Sequence, residues 1–244
     1  MRLLQYLIAL PAVVLLAACS DDPLINSIQD RNSAQVKQLL EQGNSVNVFN
    51  RAGDSALAIA IRDGQMDVIK MLLQHDVDVN ARGVMGVSPL MMAVSAGYFD
   101  ISQELLDRGA DIKHVDNSGN TVLIILPLED NPELIRMLIK RGADIHQGNH
   151  LGLNSLMVAA YLDHRQTVDL LLDEGIDVNG KMRTGQTAIM RAARQGNTDI
   201  IRRLVEVGGD VGVVDNDNDT ALSLALKHGH TETAELLRQA GAKF

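Results

Sequence analysis

Few residues in this chain could do chemistry. His146 and His150 stand four positions apart, a spacing at which two imidazoles can share a metal ion. No cysteine and no carboxylate cluster lies beside them, and His114, His164, His228 and His230 fall on fingers, turns and helix ends. Asp215, Asp217 and Asp219 match the first, third and fifth ligand positions of a calcium loop. The glycine such a loop needs at its sixth position is Thr220, and the glutamate at its twelfth is Leu226, so a solvated acidic turn is expected instead. The chain has no G-x-S-x-G, no P-loop and no zinc-protease helix motif. No nucleophile is accompanied by a base and an orienting partner. Neither catalysis nor a bound cofactor or metal is expected.

Cys19 is the only cysteine, and its setting suggests a different chemistry. Residues 1–19 read MRLLQYLIALPAVVLLAAC, one early arginine and then an apolar run, which is the layout of a secretory signal. A spanning helix wants about 20 apolar residues, whereas this run is shorter and carries Pro11. Leu16-Ala17-Ala18-Cys19 resembles the lipobox of bacterial lipoproteins, in which the cysteine is acylated and becomes the mature N-terminus. An ordinary cysteine in a cleaved signal and an uncleaved anchor are the alternatives. A lone cysteine in an exported protein otherwise leaves a free thiol; acylation removes it. By resemblance to Gram-negative lipoproteins, Ser20 directly after the cysteine implies the outer membrane, facing the periplasm.

What positions the remaining residues is a repeat. Leucine recurs at 39, 72, 105, 138, 171, 204 and 237, each 33 residues after the last. A turn glycine recurs at 53, 86, 119, 152 and 185, and Asn218 stands in the sixth place. Two residues later come Ser55, Ser88, Thr121, Asn154, Thr187 and Thr220. A fixed period of this length marks a repeat architecture in which each unit packs on its neighbours. The pattern resembles the ankyrin repeat. Gly86, Ser88, Pro89, Leu90 and Ala93 meet the family's G-x-T-P-L-H-x-A-A, and Gly109-Ala110-Asp111-Ile112 and Gly142-Ala143-Asp144-Ile145 meet its G-A-D-V-N ending. The resemblance covers about residues 22–244 in seven units, and it implies an all-α solenoid of helix-turn-helix units with β-turn fingers. The domain reading is therefore a signal over 1–19 and a repeat domain over 20–244.

Three departures stand out. The family's T-P-L-H histidine is replaced by Ala58, Met91, Ile124, Met157, Met190 and Ser223, which implies a looser array. Pro127 stands where other units have Ile61, Val94, Ala160 and Ala193, so the first helix of unit four should end early or kink. Asn131-Pro132 should then restart the second helix as N-cap and first helical residue. Tolerated drift and a functional bend both fit the proline. Arg191 occupies a column that elsewhere reads Ile59, Met92, Ile125, Val158 and Leu224, and should snorkel with its guanidinium in water.

The net charge of −9 and the 2% aromatic content argue against nucleic acid, which is held by basic surfaces and stacking rings. What remains is a protein-binding surface. By the family resemblance, partners meet the finger tips and the exposed ends of the first helices, a concave strip. At those positions the middle units carry Val84, Met85, Val87, Leu128, Leu151, Leu153, Tyr161 and Leu162, with Arg183 and Arg194 beyond them. An exposed apolar patch with a polar rim marks an interaction site; the alternative is that some of these side chains fold down onto the neighbouring unit. The expectation is a monomeric, membrane-anchored periplasmic protein holding a protein partner. That partner is an exported enzyme it supports or, alternatively, a toxin such as a phospholipase effector that it neutralises as an immunity protein.

Overall fold

A computed structural model describes residues 22–125 and 129–243 of the chain. Residues 1–21, Cys19 among them, lie outside the described residues, as do Leu126, Pro127, Leu128 and Phe244. The chain divides into two compact units, Met1–Asn117 and Ser118–Phe244. The first holds α1 (Pro23–Gln29), α2 (Ser33–Glu41), α3 (Ala56–Arg62), α4 (Met66–Leu73), α5 (Pro89–Ser95) and α6 (Phe99–Asp107), with a single 3-10 turn at Val84–Gly86. The second holds α7 (Pro132–Lys140), α8 (Ser155–Leu162), α9 (Arg165–Asp173), α10 (Ala188–Gln195), α11 (Thr198–Glu206), α12 (Ala221–Lys227) and α13 (Thr231–Gln239). Helices pair within repeats, α1 with α2, α3 with α4, α5 with α6, α8 with α9, α10 with α11 and α12 with α13, and like helices pack on like helices in successive repeats, α8 on α10 and α10 on α12.

The repeat positions explain where each first helix starts. Ser55, Ser88, Asn154, Thr187 and Thr220 are N-caps whose side-chain oxygens accept from the backbone N–H three residues on, at 3.1, 3.3, 3.0, 3.4 and 3.1 Å. Each cap satisfies one of the donors that a helix start leaves open. The helix that follows is apolar on every side because it is enclosed on every side: Leu57 through Ile61 are all sealed from solvent. The T-P-L-H histidine positions are filled by buried apolar side chains at Ala58, Met91, Ile124, Met157 and Met190.

Second helices are tied in from the repeat before them. Gln65 Nε2 donates to Ile28 O at 2.8 Å and Asn197 Nδ2 to Ala160 O at 2.8 Å, while His230 Nε2 lies 3.2 Å from Arg194 O. Gln65, Asn197 and His230 share one register, and each meets a carbonyl near the end of the preceding repeat's first helix. A second ladder runs along the repeat endings. Asn47, Asn80 and Asn179 each donate to a carbonyl and accept from an amide of the next ending, at 2.7–3.1 Å.

Repeat four departs from this scheme as its proline predicts. Among the described residues no helix forms over 121–125. Ile124 N and Ile125 N both bond Thr121 O, at 3.1 and 3.3 Å, and the turn goes no further as helix. The hydroxyl of Thr121, at the register that caps five other helices, is buried without a hydrogen-bond partner. Asn131 then caps α7 through Leu134 N at 3.1 Å, with Pro132 in its first turn. The Asp130 carboxylate reaches the start of α9, accepting from Gln166 N at 2.8 Å and Thr167 Oγ1 at 2.6 Å.

Candidate partner-binding face

Fingers and first helices together carry the residues of interest. Three finger turns are shaped by an Asn or Asp whose side chain accepts from the amides two and four residues on: Asn50, Asn149 and Asp215 all do this at 2.9–3.1 Å. Adjacent fingers are then stitched by backbone bonds. Arg183 N donates to Leu151 O at 2.8 Å, His150 N to Ser118 O at 3.1 Å and Asn216 N to Thr184 O at 2.9 Å. The Leu151 and Arg183 tips are therefore neighbours. Leu151 is 45% exposed and Arg183 is exposed beside it.

On the first helices of the same two repeats stand Tyr161, Leu162, Arg191 and Arg194. The first three are half-buried, as is Arg194. Asp163 closes α8 in the left-handed region at φ 62°, and Asn197 Nδ2 also reaches Tyr161 O at 3.3 Å, which fixes the end of the helix that carries the ring. Arg191 does not snorkel. Its guanidinium carbon sits 4.6 Å from the centroid of the Tyr161 ring, a cation–π contact. Burial holds its pKa below the ordinary arginine value; the nearby Arg194 adds to this and Tyr161 opposes it.

One expected strip residue belongs elsewhere. Leu153 is 4% exposed, so it is core and not binding surface. Its register points at the following finger: Asp54 accepts there from Val84 N, Asn120 from Asn149 Nδ2, and Gln186 donates to Asp215. Leucine at this position is covered for the same reason, and Val87, two repeats earlier in register, is half-buried. In the unit Met1–Asn117, Val84 and Met85 are 49% and 50% exposed at their finger tip, with Met85 held at φ 63°. Leu128 lies outside the described residues. Phe49 and Val214, exposed at the base of other fingers, were not foreseen from the sequence.

A family model described as "Ankyrin repeats (3 copies)" matches residues 2–83, 24–116, 90–182 and 156–244. The chain belongs to the ankyrin repeat family. No curated protein matches it. Ankyrin repeats generally mediate protein–protein interaction and are typically non-enzymatic. The remaining candidate chemistry fits that frame as structure. Asp215 is buried and committed to its ankyrin finger, and Asp219 pairs with Lys227. His114, His228 and His230 each bond a backbone carbonyl. His146 occupies the ladder position of repeat four, exposed like His150. Among the described residues no group of three or more His, Cys, Asp or Glu could hold a metal ion, and no helix is long and apolar enough to cross a membrane.

Proposed function

We propose that this ankyrin protein is a lipid-anchored protein of the bacterial envelope that holds a protein partner on the face made by its fifth and sixth repeats. The observation that carries the reading is the pairing of an exposed apolar tip, Leu151, with the neighbouring Arg183, above first helices that present Tyr161, Leu162, Arg191 and Arg194. Apolar anchors with tyrosine and arginine around them are the composition that interface cores favour. The anchor is Cys19, acylated after cleavage of the leader, and Ser20 directs the protein to the outer membrane facing the periplasm. The partner is an exported enzyme that the repeats support.

Capture from detergent-solubilised envelopes of the native cell tests this, with the wild type and a Leu151→Glu/Leu162→Glu variant as baits. A protein retained only by the wild type is expected, and equal retention by both baits would place docking on another face. An exported enzyme in the eluate agrees with the support role, whereas a secreted toxin would turn the reading to immunity. Cys19→Ala should lose acyl labelling.

A further inference from the structure

We propose that Arg191, backed by Tyr161 and beside Arg194, is a receiving site for a carboxylate side chain of an acidic, apolar-flanked segment of the partner. This rests on the docking reading above and names the chemistry that the face selects.

The column to which Arg191 belongs is a packing column. Ile59, Met92, Val158 and Leu224 fill it elsewhere, all buried. A guanidinium there gains nothing that packing needs. Nor is it satisfied from within. Among the described residues Arg191 has no carboxylate and no hydrogen bond, and its Nε is sealed from solvent without an acceptor. Arg165 and Arg203 of the second unit show the contrast: Arg165 pairs with Asp163 and Asp199, and Arg203 with Asp169 and Asp173. With 31 acidic against 22 basic residues, the chain has acids in excess, yet none is brought to this position. A half-buried charge without a counter-ion is costly to the fold, so an anion supplied from outside finds a site already desolvated and oriented.

Geometry narrows the anion. The Tyr161 ring covers one face of the guanidinium, and Nε is closed. The Nη groups are not sealed, which leaves a planar edge where two oxygens in one plane can accept together, the fork that a carboxylate matches. Arg194, one turn along the same face of α10, pairs with no acid among the described residues either and adds a second positive charge. The apolar side chains of Leu151 and Leu162 on the preceding repeat suit the aliphatic neighbours of such an acid.

The test uses the full chain in detergent and a blocked Leu-Glu-Leu-Glu peptide as probe, with Leu-Gln-Leu-Gln, inorganic phosphate and phosphatidylglycerol vesicles as comparators. The wild type is expected to bind the glutamate peptide at least tenfold more tightly than the glutamine peptide. Arg191→Met should erase that difference, and Arg191→Lys should recover only part of it. The thermal midpoint of Arg191→Met should match or exceed the wild type, since Met92 is buried at the same register, so a folding defect is told apart from lost recognition. Equal affinity for the two peptides overturns the proposal, as does an Arg191→Met variant that still discriminates. So does displacement of the peptide by phosphate or by vesicles at equal anion concentration, which would assign the site to phosphate or to membrane. If Leu151→Glu/Leu162→Glu abolishes peptide binding while Arg191→Met does not, docking on this face stands and the carboxylate site falls; if neither variant matters, both fall.

Discussion

Lys227 Nζ and Ser223 Oγ both donate to Asp219 Oδ1 in the last repeat. The lysine hydrogen bond first, and the serine second, hold the Asp219 carboxyl below its ordinary value, against a smaller opposing effect of desolvation. An aspartate in the unfolded chain titrates near about 3.9. Because the folded value is the lower one, the contribution is fully present above that pH and is lost as pH falls through the folded pKa. The effect should be small, since Lys227 is largely exposed. Acid titration followed by amide exchange should show α12 and α13 loosening below about pH 4, and Asp219→Asn should remove the part of that loosening due to this residue. Identical acid profiles for the two proteins would deny Asp219 the role. Asp215, four residues earlier, has the same side-chain type and a different fate: buried and bonded to its own turn, it shapes the finger.

At the scale of the element, the turn glycines at 86, 119, 152 and 185 do two jobs at one repeated spacing, positive φ and close approach of the next finger, whereas a Cβ at Gly53 would meet nothing. Gly152 sits at φ +77°, and a Cβ there would come within 3.1 Å of Lys181 O and Met182 Cα in the following finger. Positive φ alone tolerates asparagine; the close approach does not. The last repeat separates the two demands. Its turn residue is Asn218, at φ 61°, and among the described residues no further finger packs against it. Gly152→Ala should therefore destabilise the protein by about 1–3 kcal/mol through backbone strain and displacement of the next finger. Asn218→Gly should change stability by no more than about 1 kcal/mol. Equilibrium urea unfolding measures both; equal small effects would mean that the fingers yield to a methyl group.

Over the whole chain, repeat four is the weak member. It lacks a first helix among its described residues, leaves the Thr121 hydroxyl buried and unbonded, and has His146 where Asn47, Asn80 and Asn179 build the ladder. In a repeat protein stability is close to a sum of each repeat and its interfaces, so local opening should begin there. Amides of α7 should exchange with solvent faster than those of α9 or α11. His146→Asn adds the two ladder bonds toward Gly175 and Asp177, and should slow exchange in α7 by a factor consistent with about 1 kcal/mol. Uniform exchange along the chain would show that Asp130 and the packing of α7 on α9 compensate fully.

The 33-residue period, the caps, the finger glycines and the missing helix over 121–125 were legible in the sequence because each follows from a local demand: a donor to satisfy, a positive φ, a proline just downstream. The family, and with it the all-α repeat fold, follows from those residues. The sequence by itself also marked Leu151, Tyr161 and Leu162 as surface candidates through their departure from expected polarity, with Arg183 and Arg194 as their charged flank. Only the tertiary structure decided which of the candidates face solvent. Leu153 was lost to the core because its register faces the next finger, where the neighbouring members of the column bond residues 29 to 30 positions on, a contact that periodicity does not weigh. Arg191 was gained for the opposite reason. Its length suggested a cation in water, but the neighbouring repeat places the Tyr161 ring under the guanidinium and no acid within reach, and proximity of that kind is fixed by packing between repeats.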